Sequence, residues 1–98
     1  MVYCDRKYHI ISNELMHQGT IDTTPFYPRE IVRRAIELSA YSVVVVHNHP
    51  SGDPRPSQAD KDATKQLKIA LESLDMTLHD HIIISPTNYY SFKANFLI

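Results

Sequence analysis

The sequence predicts an α/β domain in which a mixed β-sheet is flanked by helices, in the order β-β-α-β-α-β-β. Short β-branched or apolar runs alternate along the chain with two longer segments of helical periodicity. The chain has 98 residues, which is enough for one hydrophobic core of a few strands and two helices. We therefore expect a single domain over residues 1–98.

The N-terminal part has the composition of an antiparallel hairpin. Residues 2–4 are strand-like, residues 5–7 are polar and turn-like, and strand composition resumes at residues 8–11. This second strand is expected to continue through Glu14 to Thr20, with a possible bulge where Asn13 and Glu14 interrupt the pattern. The chain starts abruptly at a strand, which predicts an excised domain or a shortened paralogue.

Two amphipathic helices follow. The first is expected to begin at Pro28, because a proline at the first helical position lacks only an N–H that would have no partner there. The second is expected to begin at Ser57 and to end near Asp75. Apolar residues recur at helical spacing in both segments: Ile31, Val32, Ala35, Ile36 and Leu38 in the first, and Ala63, Leu67, Ala70, Leu71 and Leu74 in the second.

Three more strands are predicted. The β-branched run at residues 42–46 lies between the helices, which is typical of a central strand covered on both faces, and His47 is expected to end it. Residues 77–85 are mostly strand-like, with another dense apolar run at residues 81–84, and residues 89–92 form a short returning strand after a turn.

Composition excludes several classes of function. The net charge is −1 with neutral histidines, which argues against direct nucleic-acid binding by this segment. Cys4 is the only cysteine, so no internal disulfide can form and a reducing compartment fits. The longest apolar run is far shorter than the ~20 residues of a membrane helix, and no signal peptide is evident. We expect a cytoplasmic protein without a membrane partner.

The segment 47–60, HNHPSGDPRPSQAD, contains the candidate metal ligands. His47 and His49 share one face of a strand and can therefore converge on one point. Asp60 follows eleven residues after His49, at the predicted helix start. Imidazole and carboxylate are ligands that zinc takes in catalytic sites, with water in the fourth position. The alternative is a pair of histidines bonded to the backbone of a tight loop.

Asp60 also has a structural explanation. Ser57 to Asp60 reads S-x-x-D, close to a capping box, and a carboxylate in the first turn interacts favourably with the helix dipole. Both roles are compatible, because Ser57 can cap the helix through one lone pair and still reach the site.

A hydrolase also needs a general base. Glu14 is the candidate, because a charged glutamate is unusual within a predicted strand and a catalytic role would account for it. The alternative is an edge-strand charge that prevents aggregation. His81 is either a hydrogen-bond partner behind a metal ligand or a buried, fully bonded histidine. The other acidic residues considered are expected at turns or on solvated helix faces: Glu30, Glu37, Asp53, Asp62 and Glu72.

Residues 47–60 resemble the signature of the JAB/MPN (JAMM) metalloenzymes, a His-x-His-Pro followed by Ser-x-x-Asp. The form His-Asn-His-Pro-Ser-Gly is similar to the RadC branch, as are residues 14–20, 27–30, 78–83 and 91–92. RadC-like proteins often also carry an N-terminal helix-hairpin-helix region; these 98 residues show no such pattern, and we therefore do not expect a DNA-binding role for this segment.

The resemblance implies an MPN/JAB-like fold and a zinc ion bound by His47, His49 and Asp60. It further implies that Ser57 helps to hold a polarised carbonyl or water, and that Glu14 is the base. JAMM enzymes cleave peptide or isopeptide bonds, so the first hypothesis is a zinc hydrolase with a peptide or protein substrate. The second is a non-catalytic interaction module associated with DNA repair or a mobile element.

Overall fold

The computed structural model describes residues 1–15, 26–49 and 52–98. In these residues the strands and helices follow one another in the predicted order, β-β-α-β-α-β-β, which is therefore confirmed. They are β1 (Val2–Cys4), β2 (Ile10–Asn13), α1 (Pro28–Glu37), β3 (Ser42–Asn48), α2 (Gln58–Glu72), β4 (Thr77–Ile84) and β5 (Tyr89–Ser91).

The strands form one mixed sheet in the spatial order β2-β1-β3-β4-β5. β3 and β4 are parallel, because α2 carries the chain back between them, and the other neighbours are antiparallel. β3 is thus the central strand, as predicted. It extends to Asn48 rather than ending at His47, since both residues still pair with β4.

One face of the sheet is covered by both helices. Val43 and Val45 of β3 are fully buried and share a core with Ile31 of α1 and Leu67 of α2. Val46, which points to the other face, is 41% exposed. The expectation that this run is covered on both faces is therefore wrong at the Val46 end, because both helices pack on the same side.

The helix boundaries follow local rules. α1 begins at Pro28 as predicted, with Ile31 and Ala35 fully buried. α2 ends at Glu72 rather than near Asp75, because Asp75 takes a left-handed conformation with φ 59 that ends helical geometry. Two residues assigned to the apolar stripes are about half exposed to solvent instead, Ile36 and Leu74.

The N-terminal hairpin is tighter than predicted. Tyr8 donates its backbone N–H to the Asp5 carbonyl in the turn, so β2 begins only at Ile10. The register shift lies opposite Tyr3 and Cys4, not at Asn13 and Glu14. Strand pairing continues through backbone bonds between Met1 and Glu14, and the predicted continuation over residues 16–20 lies outside the described residues.

None of the helices in the described ranges is long and apolar enough to cross a membrane.

Candidate metal centre

Three side chains converge where β3 ends and α2 begins. His47 Nδ1 lies 3.6 Å from Asp60 Oδ1, and His49 Nε2 lies 3.3 Å from Asp60 Oδ2. One ligand atom from each residue lies within 4.8 Å of the others. Tetrahedral zinc with bonds of ~2.0–2.1 Å places its ligand atoms ~3.4 Å apart, so these separations suit a metal ion.

The tautomer of His49 can be deduced from its contacts. Its Nδ1 lies 3.1 Å from the backbone carbonyl oxygen of Asp53, which can only accept a hydrogen bond. Nδ1 therefore carries the hydrogen in the neutral ring, and Nε2 presents a lone pair towards Asp60. A backbone carbonyl behind an imidazole is a common way to orient a metal-binding histidine.

His47 presents a buried nitrogen without a partner. Its Nδ1 is buried and has no hydrogen-bond partner among the described residues, although it faces the carboxylate of Asp60. Burial is the main cause of a lowered pKa for His47, and the Asp60 carboxylate opposes that effect. The lowered pKa favours the neutral ring at pH 7, the form in which imidazole binds a metal ion.

Asp60 is the buried charge of the group, with only 2% of its surface exposed. Its Oδ2 accepts a hydrogen bond from the Ser57 backbone N–H at 2.8 Å. A buried carboxylate is costly without a partner charge, and a cation bound between Asp60 and the two imidazoles would supply one. The orphaned nitrogen, the lone pair of His49 and this carboxylate thus fit a divalent metal.

The capping box predicted for α2 is confirmed. Ser57 Oγ accepts from the Asp60 backbone N–H at 3.0 Å, while the Asp60 side chain accepts from the Ser57 backbone. The cap thus fixes the side chain of Asp60 as well as the helix start. It uses only a lone pair of Ser57 Oγ, so the hydroxyl hydrogen is left for another partner at the site.

Comparison with known proteins identifies the family of this chain. The model of a family described as RadC-like JAB domain matches residues 1–97. The chain belongs to the RadC-like JAB domain family. It is similar to UPF0758 protein SPO0054 of Ruegeria pomeroyi, with 51% identity over 92 residues, which are 94% of this chain but 41% of that protein. The chain thus spans about two fifths of the length of this relative, whose name specifies no reaction or substrate.

In this RadC-like JAB domain, Glu14 lies immediately after β2 and is held by Arg34 of α1. Arg34 Nη2 and Nε contact the carboxylate oxygens at 2.7 and 2.8 Å, and Ser12 Oγ donates to it at 2.7 Å. The hydrogen bonds from Arg34 are the largest cause of a pKa lowered to about 2. The role of Glu14 as a base stays a prediction, and it requires Arg34 to release the carboxylate.

The register shows where Glu14 lies relative to the metal centre. Its backbone pairs with Met1, and β1 pairs with β3 through Val2 and Val44. By extension of this register, Glu14 lies two strands from β3, level with Val45. Its contact with α1 puts its side chain on the helix-covered face, the face that also carries His47.

The other acidic residues occupy the positions expected for them. Asp53 forms a turn with Arg55 and contacts its guanidinium at 2.8 Å. The whole set is exposed to solvent: Glu30, Glu37, Asp53, Asp62 and Glu72.

His81 lies behind the metal centre and combines features of both predictions made for it. The residue is fully buried, with Nδ1 2.7 Å from Thr64 Oγ1, whereas no hydrogen-bond partner of its Nε2 lies in the part of the chain that the structure describes. Thr64 was not identified from the sequence. The signal was present, because Thr64 follows Asp60 by four residues and therefore lies on the same face of α2.

The stability of this RadC-like JAB domain should depend on pH through His81. Burial lowers the pKa of His81 to about 4, whereas the unfolded value is about 6.5. The unfolded chain therefore binds the proton first. The free energy of unfolding therefore receives its full contribution from neutral His81 above pH ~6.5. It decreases by roughly 2–3 kcal/mol as the pH falls towards ~4.

Urea unfolding in chelator at pH 7.5 and 4.5 measures this effect. We expect His81→Asn to lose less stability than wild type between the two pH values. The exposed, non-titratable Gln66 of α2 serves as the control, since Gln66→Ala should leave the pH dependence unchanged. Equal pH dependence in wild type and His81→Asn would show that His81 does not titrate as stated.

Proposed function

We propose that this domain is a zinc-dependent hydrolase that cleaves an amide bond of the peptide or isopeptide type. The observation that carries the proposal is the convergence of the unpaired His47 Nδ1, the His49 Nε2 lone pair and the buried Asp60 carboxylate. Zinc is the favoured metal because two imidazoles and one carboxylate match a catalytic zinc site with an open fourth position. Membership in the RadC-like JAB domain family supports the same chemistry.

The residues would divide the work as follows. His47, His49 and Asp60 would hold the metal, which would polarise the scissile carbonyl of the substrate and lower the pKa of a water. Ser57 donates its free hydroxyl hydrogen to the developing oxyanion. Glu14, once released by Arg34, takes a proton from the attacking water and returns it to the leaving amine.

A second candidate is a non-catalytic interaction module associated with DNA repair or a mobile element. The ion pair between Glu14 and Arg34 favours it, because a carboxylate with a pKa of about 2 is a weak base at neutral pH. The net charge of −1 favours a protein partner over DNA for this segment.

Metal-dependent turnover separates the two candidates. The zinc-loaded domain is incubated with a peptide library and with isopeptide-linked peptides, and products are identified by mass spectrometry. We expect cleavage that is lost in chelator, restored by added zinc and absent in His47→Ala. The exposed His9→Ala variant should cleave like wild type. No cleavage by a domain shown to hold zinc would favour the interaction module.

A further inference from the structure

One hydrogen bond joins α2 to the sheet directly behind the metal centre. Thr64 Oγ1 of α2 lies 2.7 Å from His81 Nδ1 of β4, and both residues are buried. Within residues 1–15, 26–49 and 52–98, the other polar contacts between α2 and the sheet are those of Asp60 with the two metal-centre histidines. The bond between Thr64 and His81 therefore ties α2, which supplies Asp60, to β4, the strand that pairs directly with the His47 strand β3.

The direction of each hydrogen bond in this link is fixed. Thr64 Oγ1 lies 2.6 Å from the Asp60 backbone oxygen, which can only accept. The single hydroxyl hydrogen of Thr64 therefore goes to Asp60. His81 must then donate from Nδ1 to Thr64, so a continuous chain runs from the His81 ring through Thr64 to the backbone of Asp60.

Neighbouring rings fix the orientation of His81. Phe92 stacks on it with ring centroids 4.4 Å apart and planes at 7°, and Phe26 meets it edge-on at 5.6 Å. His81 pairs with Val45 in the parallel ladder, two positions before the pair of His47 with Ile83. The ring centroids of His47 and His81 are 5.8 Å apart, so the link lies next to the ligands.

We propose that Thr64 and His81 are positioning residues of the metal centre, which hold the first turn of α2 at the distance from the sheet where Asp60 meets His47 and His49. This inference rests on the proposed metal site. It explains why a hydroxyl occupies the buried stripe of α2, where an apolar residue of the same shape would pack without needing a partner. It also explains why a histidine with one unpaired nitrogen lies fully buried in β4.

The test compares matched variants of the complete chain. Thr64→Val keeps the shape and removes the hydroxyl, whereas Thr64→Ser keeps the hydroxyl. His81→Leu removes the donor, whereas the side-chain amide of His81→Asn replaces Nδ1 as donor to Thr64. Gln58→Ala, which removes an exposed hydrogen bond to Asp62 on the same helix, is the control.

Zinc affinity by chelator competition and the visible spectrum of the Co²⁺-substituted protein are the measurements. We expect Thr64→Val and His81→Leu to bind zinc about 10- to 100-fold more weakly with a changed Co²⁺ spectrum, the usual range for residues that orient metal ligands. Thr64→Ser, His81→Asn and Gln58→Ala should stay close to wild type. A folded Thr64→Val protein with wild-type affinity and spectrum would overturn the proposal.

A metal-independent measurement separates this proposal from the proposed function. Histidine side-chain ¹⁵N spectra of the metal-free protein should show hydrogen on Nδ1 of His81. In Thr64→Val, the signals of His47, His49 and the Asp60 amide should shift, and in Thr64→Ser they should return. If wild type binds no metal, the proposed function fails while these shifts still decide the positioning role; unchanged signals in Thr64→Val would refute it.

Discussion

Asp60→Asn is expected to lower zinc affinity by at least about 100-fold while changing the free energy of unfolding by about 1 kcal/mol or less. Asparagine can still accept the capping hydrogen bond from the Ser57 backbone, which now goes to Asp60 Oδ2. It removes the negative charge that faces the two imidazoles, and an amide oxygen is a weaker zinc ligand than a carboxylate. Zinc competition assays and urea unfolding of the metal-free protein measure the two effects.

The matched control is Asp62→Asn. Asp62 lies in the same helix two residues further on but is exposed and bonded to Gln58. Its replacement removes a charge from the same helix without touching the metal centre, so zinc affinity should stay at the wild-type value. A steep loss of stability in Asp60→Asn with unchanged zinc affinity would make Asp60 a structural residue and leave the metal centre with two ligands.

Glu14→Gln is expected to lower turnover by about 10²- to 10⁴-fold, the usual contribution of a general acid–base residue. The fold and the zinc content should be retained, since glutamine can still accept hydrogen bonds from Arg34 and Ser12. The measurement is kcat on the substrate found in the peptide screen, together with zinc content.

Glu37→Gln is the control for this variant. Glu37 is exposed and also contacts Arg34, at 3.6 Å, so its replacement disturbs the same arginine without removing the proposed base. Its turnover should remain near wild type. Equal kcat in Glu14→Gln and wild type would place the base elsewhere, and Glu14 would then be an ion-pair partner of α1.

The order of strands and helices could be predicted because each element carries a local signal. Pro28 and Ser57 mark helix starts through backbone chemistry that does not depend on the rest of the fold, and the structure places both helix starts there. The face that each strand buries could not be predicted this way. Val44 and Val46 look like Val43 and Val45 in sequence, and only the packing of both helices on one side distinguishes them.

The candidate metal centre could be read from the sequence because its residues are close along the chain and share one motif. The bonds that connect it to the fold join distant segments instead. Thr64 meets His81 across 17 positions, and Glu14 meets Arg34 across 20. No local pattern predicts which of several arginines will contact a given glutamate, so these partners required the three-dimensional structure.

Zinc content is the most direct test of the central statement, that His47, His49 and Asp60 form a metal centre. Protein purified without chelator is analysed by elemental mass spectrometry beside His49→Ala and the surface control His9→Ala. We predict about one zinc per chain in wild type and in His9→Ala, and close to none in His49→Ala. Equal metal content in wild type and His49→Ala, whether one ion or none, would contradict the assignment.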